Sequence, residues 1–193
     1  MNMQLKSRVL LIIIFLLALA PMLLAFWFAQ NPEYLGKPTA HGQLLTPAHP
    51  IERTQLIGAD AFAREHITQL HGRWVLLHLV RGDTCGPTCL ESLHKSKQLR
   101  LMMNKDLSRI RRAALLIDRN TQPHNWPEDP LVLKLLAAPE LKAQLAKLPI
   151  PQQADSLVVL DPLTNLIMWY EEDFDPYQVR DDLKKLLSVS QIG

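Results

Sequence analysis

Residues 9–29 read VLLIIIFLLALAPMLLAFWFA, a continuous apolar run without a single charge. A helix needs roughly 20 such residues to cross the hydrocarbon core of a bilayer. The run therefore reads as a transmembrane anchor and sets the terms for everything that follows it. Pro21 inside the run is tolerated, because membrane helices accommodate a proline kink. Trp27 and Phe28 fall at its far end, where aromatic rings favour the membrane interface. Lys6 and Arg8 precede the run, whereas Glu33 and Lys37 follow it and offset each other. The positive-inside bias then keeps the N-terminus cytoplasmic and sends the rest across.

A cleavable signal peptide is the competing reading. Its apolar core would be about 7–15 residues long and end at a small-x-small site. Ala18-Leu19-Ala20 fits that site, but Pro21 would follow the cut and the apolar run continues beyond it. An uncleaved anchor is favoured. In either case the soluble part faces an oxidising space, where disulfides persist. The expected organisation is a cytoplasmic N-terminus over residues 1–8, an inner-membrane anchor over 9–29, a tether over 30–55, and a periplasmic domain over 56–193.

The chain has 193 residues, enough for one domain of ordinary size plus this appendage. Its formal net charge of +2 argues against a nucleic-acid partner, which selects a strongly basic face. There is no Ser-His-Asp set and no zinc-ligand spacing, and the 7 glycines form no phosphate-cradling loop. Hydrolase and nucleotide chemistry are therefore disfavoured.

Past the anchor, residues 31–53 are rich in Pro, Gly and polar residues and read as tether, with at most a short strand near 43–45. Residues 59–70 carry helical spacing through Phe62, His66, Ile67 and Leu70, stopped by His71-Gly72. WVLLHLV, residues 74–80, is bulky and apolar at almost every position, as in a central strand covered on both faces. A helical pattern through Leu90, Leu93, Leu101 and Met102 occupies residues 90–103. AALLI, residues 113–117, reads as a second buried strand, and residues 131–148 as helical with a break near Pro139. SLVVL (156–160) and LIMWY (166–170), joined by Asp161-Pro162-Leu163-Thr164-Asn165, make a hairpin. Residues 176–187 close the chain as an amphipathic helix with Tyr177, Val179, Leu183, Leu186 and Leu187 as its apolar set. The order β-α-β-α-β-β-α predicts an α/β fold with a sheet covered by helices on both faces. With a cysteine pair directly after the first central strand, it is the order of a thioredoxin-like fold.

That pair is the second feature with chemical content. RGDTCGPTCLESLHK, residues 81–95, holds both cysteines, Cys85 and Cys89. Asp83 and Thr84 are N-cap candidates and Pro87 suits a first helical turn. A spacing of four places both sulfurs on one helix face, with Cα atoms roughly 6 Å apart, within disulfide reach. Unpaired amides at a helix start stabilise a thiolate. Such a site can alternate between dithiol and disulfide, or hold a soft Cu(I) ion between two thiolates. Two blander readings compete: a static disulfide and a pair of inert buried thiols. A disulfide closing so short a loop removes little chain entropy. The flanking Gly86-Pro87 and polar residues suggest an exposed turn, which speaks against inert burial.

With Cys-x-x-x-Cys after the first central strand and the LDP hairpin later, the chain resembles the Sco/SenC family of cytochrome oxidase copper-assembly proteins. It is similar, more closely, to single-pass membrane proteins encoded in bacterial cytochrome c oxidase assembly clusters. The matching pieces are HGQLLTP (41–47), GRWVLLHL (72–79), the cysteine pair, QLR (98–100), RIRRAALLID (109–118) and LDPLTNLIMWY (160–170) with the closing helix. The resemblance implies an anchored thioredoxin-fold domain in which Cys85 and Cys89 bind copper, or reduce cysteines, for the oxidase's binuclear copper site. It also implies an oxidase subunit or other assembly factors as partners. The family pattern has a histidine just before the strand leading into the Asp-Pro turn. IPQQADSLVVLDP (149–161) offers only Gln153 or Asp155 there, so a two-thiolate Cu(I) site carries over and an imidazole-containing Cu(II) site does not.

His124, in the loop after the second central strand, is the candidate substitute ligand; His78, Met102, Met103 and Met168 fit core positions and His94 a helix surface. The segment after the cysteines is basic through Lys95, Lys97, Arg100, Lys105, Arg109, Arg111, Arg112 and Arg119, and the last third is acidic. Solvated faces account for this pattern in part; docking to a charged subunit or to anionic lipid is the functional alternative. Three roles stay open: an oxidase assembly factor using a redox or Cu(I)-handling pair, a general thiol–disulfide oxidoreductase, and a non-catalytic interaction subunit with a structural disulfide.

Overall fold

The computed structural model describes residues 3–31, 40–82, 85–118, 126, 129–190 and 192, with side chains from residue 8 onward. Two compact units result, Met1–Thr39 and Ala40–Gly193. The first contains helix α1, Met3–Gln30, which carries Pro21 within its length. Over Arg8–Gln30 it is long and apolar enough to cross a membrane. Its Leu, Ile and Phe side chains are exposed along this stretch, the arrangement lipid would satisfy.

The second unit is built on a seven-stranded mixed sheet. Its strands are β1 (Gln43–Pro50), β2 (Leu56–Gly58), β3 (Trp74–Val80), β4 (Ile110–Leu116), β5 (Val132–Ala137), β6 (Ser156–Leu160) and β7 (Asn165–Glu171). They lie in the order β1-β7-β6-β3-β4-β5-β2, which puts β3 at the centre. β3 runs parallel to β4 and antiparallel to β6, and every residue of β3 is buried. This is why WVLLHLV needs a bulky residue on both sides of the pleat.

Alternation along β3 sorts the core into two faces. Val75, Leu77 and Leu79 join Leu115, Leu135, Leu141 and Leu145 on one face. That side carries the short helices α2 (Ala61–His66) and α4 (Pro139–Leu145). Trp74 and Leu76 join Leu99, Leu157, Val179 and Leu183 on the other face. There α3 (Pro87–Met102) and α5 (Pro176–Val189) pack together. Higher on this second face, Val80, Cys85, Cys89, Leu93, Ala114 and Leu116 form their own cluster.

Several elements depart from the sequence-based expectation. Residues 43–50, read as tether, form the edge strand β1 paired with β7. Apolar content there is low because an edge strand buries little; within it only Leu45 is buried. Residues 132–137, read as helix, form β5 between β4 and β2. VLKLLA lacks the β-branched enrichment that marks strands, so its position between two partners decides its conformation. Helix α3 buries Cys89, Ser92, Leu93, Ser96 and Leu99, whereas Leu90 and Leu101 are exposed. Its core face carries two serines, which an apolar count assigns to solvent. The closing helix α5 likewise turns Asp182 inward while Tyr177 faces solvent.

Asp182 ties the beginning of this unit to its end. Its Oδ2 accepts from the His41 and Gly42 amides at 2.7 and 3.0 Å and from the Tyr170 hydroxyl at 3.0 Å. A Cβ on Gly42 would sit 2.5 Å from the Tyr170 ring and 2.7 Å from Met168 Sδ, so only glycine lets the chain reach this carboxylate.

Candidate functional site

The two cysteines sit where β3 ends and α3 begins. Cys85 precedes the helix, Gly86 is its N-cap, Pro87 occupies its first turn, and Cys89 follows within that turn. Asp83 and Thr84, the expected caps, lie outside the described residues, and the cap position itself falls on Gly86. A glycine brings no capping side chain, and among the described residues no side chain caps the start of α3. Cys85 and Cys89 form a disulfide with Cα atoms 5.1 Å apart. The loop between them bends tighter than two positions on one helix face. Each cysteine is only 4% exposed, in contrast to the exposed turn read from sequence.

Beneath this junction lies a buried polar network with no apolar signature. His78 projects from β3 toward α3, with Nδ1 3.0 Å from Ser92 Oγ and Nε2 2.8 Å from Ser96 Oγ. Ser96 Oγ donates to the Leu93 carbonyl at 3.0 Å and accepts from Arg112 Nε at 3.0 Å. With its one proton committed there, Ser96 can only accept from His78, so Nε2 carries the imidazole proton and Nδ1 accepts from Ser92. Burial, and then the charge of Arg112, lower the His78 pKa from 6.5 to about 3, so the ring is neutral. Arg112 also donates to the Leu93 carbonyl and pairs with Asp129 at 2.8 Å. Burial works against the ionised Asp129 carboxylate, yet hydrogen bonds from Arg112 and the Leu131 amide hold it below its ordinary range. The guanidinium thereby satisfies the carbonyl and serine that the helix places over the strand.

Asp155, on the chain entering β6, is one of the two residues, with Gln153, near the place where the resemblance would have a histidine. It lines a narrow hollow together with His78, Cys89, Ser92 and Ser156. Its Oδ1 accepts from the Arg81 amide at 2.7 Å. Burial raises its pKa, the Arg81 amide opposes that, and the charge of Glu172 adds to it. A carboxylate is a hard donor, poorly matched to Cu(I).

Of the site residues named from sequence, Cys85 and Cys89 are brought together and His124 lies outside the described residues. His78 is enclosed by serines on both ring nitrogens. His94 sits on the exposed side of α3, bonded to Gln98 at 2.9 Å. Met103 and Met168 are core residues and Met102 packs against the same cluster. Among the described residues, no group of three or more His, Cys, Asp or Glu side chains could hold a metal ion. The network His78–Ser92–Ser96–Arg112–Asp129 was missed from sequence. The signal that could have found it is a histidine inside an otherwise apolar strand, followed by serines spaced four apart on the next helix.

A family model described as transmembrane-like, thioredoxin-like, C-terminal domain matches residues 74–190. No curated protein matches the sequence. Among solved structures, the apo Sco1 protein from Thermus thermophilus aligns with a TM-score of 0.54 at 17% identity, covering 76% of this chain and 96% of that one. Copper-bound ScoI from Arabidopsis thaliana aligns with a TM-score of 0.51 at 15% identity, covering 78% and 100%. At such identities the likeness establishes a shared fold. The central strand, the cysteine helix, the hairpin and the closing helix all fall within the matched residues, and the chain belongs to the transmembrane-like, thioredoxin-like C-terminal domain family.

Proposed function

We propose that this chain is a membrane-anchored assembly factor for cytochrome c oxidase, working through Cys85 and Cys89 on the periplasmic side of the inner membrane. The observation that carries the reading is the Cys85–Cys89 disulfide at the β3–α3 junction, spanning the start of helix α3. The fold shared with two Sco proteins and the charge bias around α1 support it. In the reduced form, the Cys85 thiolate attacks a disulfide of the client protein and forms a mixed disulfide, releasing one client thiolate. Cys89 then loses its proton and attacks Cys85 Sγ, which forms the intramolecular disulfide and releases the second client thiolate. Two electrons and two protons pass to the client, and an external thiol reductant restores the pair.

Copper enters this reading as cargo. Two thiolates suit Cu(I), and the stretch 149–161 supplies no imidazole for the Cu(II)-capable site the resemblance implies. Electron exchange with the client's copper-ligating cysteines is therefore the primary role. The decisive experiment is complementation of a deletion strain with the Cys85→Ser/Cys89→Ser chain, read as the copper content and activity of the oxidase. Loss of maturation with normal protein levels is expected. Full restoration would leave only a structural role for the disulfide.

A further inference from the structure

At the opposite end of β3 from the cysteines, about 20 Å away along the strand, three guanidiniums converge. Arg73 immediately precedes β3, Arg100 lies in the last turn of α3, and Arg111 is the second residue of β4, paired with Val75. Each is fixed by the same short turn. Arg73 donates to the Ser108 carbonyl, Arg100 Nε to the Ile110 carbonyl at 2.9 Å, and Arg111 Nη1 to Ser108 and Ile110 at 3.0 and 3.1 Å. These bonds leave the Nη groups of Arg100 and the Nε and Nη2 of Arg111 without partners among the described residues.

Like charges are held together here, and Asp129 is the carboxylate whose charge opposes them at Arg100. Among the described residues no carboxylate lies within ion-pair distance of Arg73, Arg100 or Arg111. The nearest, Asp129, is committed to Arg112 and to the Leu131 amide. Burial, and then the charges of Arg73 and Arg100, lower the pKa of Arg111; burial and Arg73 do the same to Arg100. Arg100 and Arg111 open into a hollow of about 140 Å³ that Phe62, Gln69, Leu131 and Leu133 also line. Phe62 and Leu131 are 43% and 52% exposed at its rim.

We propose that this hollow is a binding site for a phosphate group. Fixed guanidiniums with unused N–H donors match the oxygens of phosphate in forked pairs, and a dianion cancels the repulsion the cluster otherwise carries. Arg100 and Arg111, which line the hollow, hold the phosphate, and Arg73 adds positive charge beside them; Phe62 and Leu131 flank whatever carries it. The source is either free phosphate or the headgroup of an anionic phospholipid. The site is independent of the cysteine chemistry, since the two lie at opposite ends of the sheet.

The test is arginine labelling of the full chain with phenylglyoxal, mapped by peptide mass. One arm adds inorganic phosphate to the chain in neutral detergent at constant ionic strength. The other compares nanodiscs of phosphatidylcholine with nanodiscs containing phosphatidylglycerol. At phosphate ten times its dissociation constant, labelling of Arg100 and Arg111 should slow about tenfold, while Arg64 and Arg180 are unaffected. Protection by phosphate alone assigns a soluble ligand, protection by phosphatidylglycerol alone a lipid headgroup, and protection by both a site that reads the phosphate group itself. Absence of protection in both arms overturns the proposal. As a second measurement, Arg100→Gln/Arg111→Gln should weaken phosphate binding by calorimetry about tenfold or more, whereas Lys142→Gln should not. Unchanged binding in the folded double variant would equally overturn it.

Discussion

The neutral, enclosed imidazole of His78 makes a quantitative prediction about acid. Its pKa falls from 6.5 in the unfolded chain to about 3 in the folded one. Between these values the unfolded chain binds a proton that the native state refuses. Stability is thus fully present above pH 6.5 and is lost as pH falls toward 3. Each pH unit in that window removes about 1.4 kcal/mol, so a change from pH 7 to pH 5 removes about 2 kcal/mol through this one residue. Carboxylates titrate over part of the same range, and they are removed by comparison with His78→Gln. Urea unfolding of residues 40–193 with the disulfide intact, followed by the fluorescence of Trp74, Trp126 and Trp169, gives both curves. The stability difference between wild type and variant should shrink by about 2 kcal/mol from pH 7 to pH 5. A difference that stays constant across that range would show that His78 is not held neutral by its surroundings, and the network as described would be wrong.

Three further outcomes follow from packing. Asp182→Asn weakens the acceptor of three hydrogen bonds, one buried and two part-buried, and should cost about 2–4 kcal/mol, read as a lower urea midpoint at unchanged m-value. Gly42→Ala forces a methyl group into the Tyr170 ring and should cost about 1–3 kcal/mol in the same assay. Arg112→Met removes the ion-pair partner of Asp129 and one donor each from Ser96 and the Leu93 carbonyl and should cost about 3–5 kcal/mol; Arg112→Met with Asp129→Asn should recover part of that loss, a coupling that a double-mutant cycle measures.

How much of this was legible in the sequence depended on whether apolar spacing carried the information. The anchor and β3 declare themselves by density of apolar residues, and the β6–β7 hairpin by its Asp161 turn, whose carboxylate accepts from the Leu163 and Asn165 amides at 2.9 and 2.8 Å. Strand β1 was legible only as a short strand near 43–45 and β5 not at all, for opposite reasons. β1 is too polar to look buried, and β5 is leucine-rich enough to look helical until β4 and β2 claim its two edges. The proximity of Cys85 and Cys89 was readable from spacing and turn chemistry. Their depth was not, because it depends on Leu116 of β4 and Val132 of β5 closing over them together with Leu93 of α3. The serines of α3 and the aspartate of α5 show the same limit: a polar residue in a helix reads as solvent-facing unless its distant partner is known.

The burial of the disulfide has a consequence for how fast it can be reached. At 4% exposure each, Cys85 and Cys89 offer an incoming thiolate almost no line of approach. Exchange with a small thiol must wait for the loop to open, so its rate should climb with thiol concentration and then level off at the opening rate. A protein that holds the loop open as it docks escapes that ceiling. Selectivity among clients is then set by waiting time, and the oxidised pair can persist among abundant small thiols while still yielding to the one surface shaped to expose it.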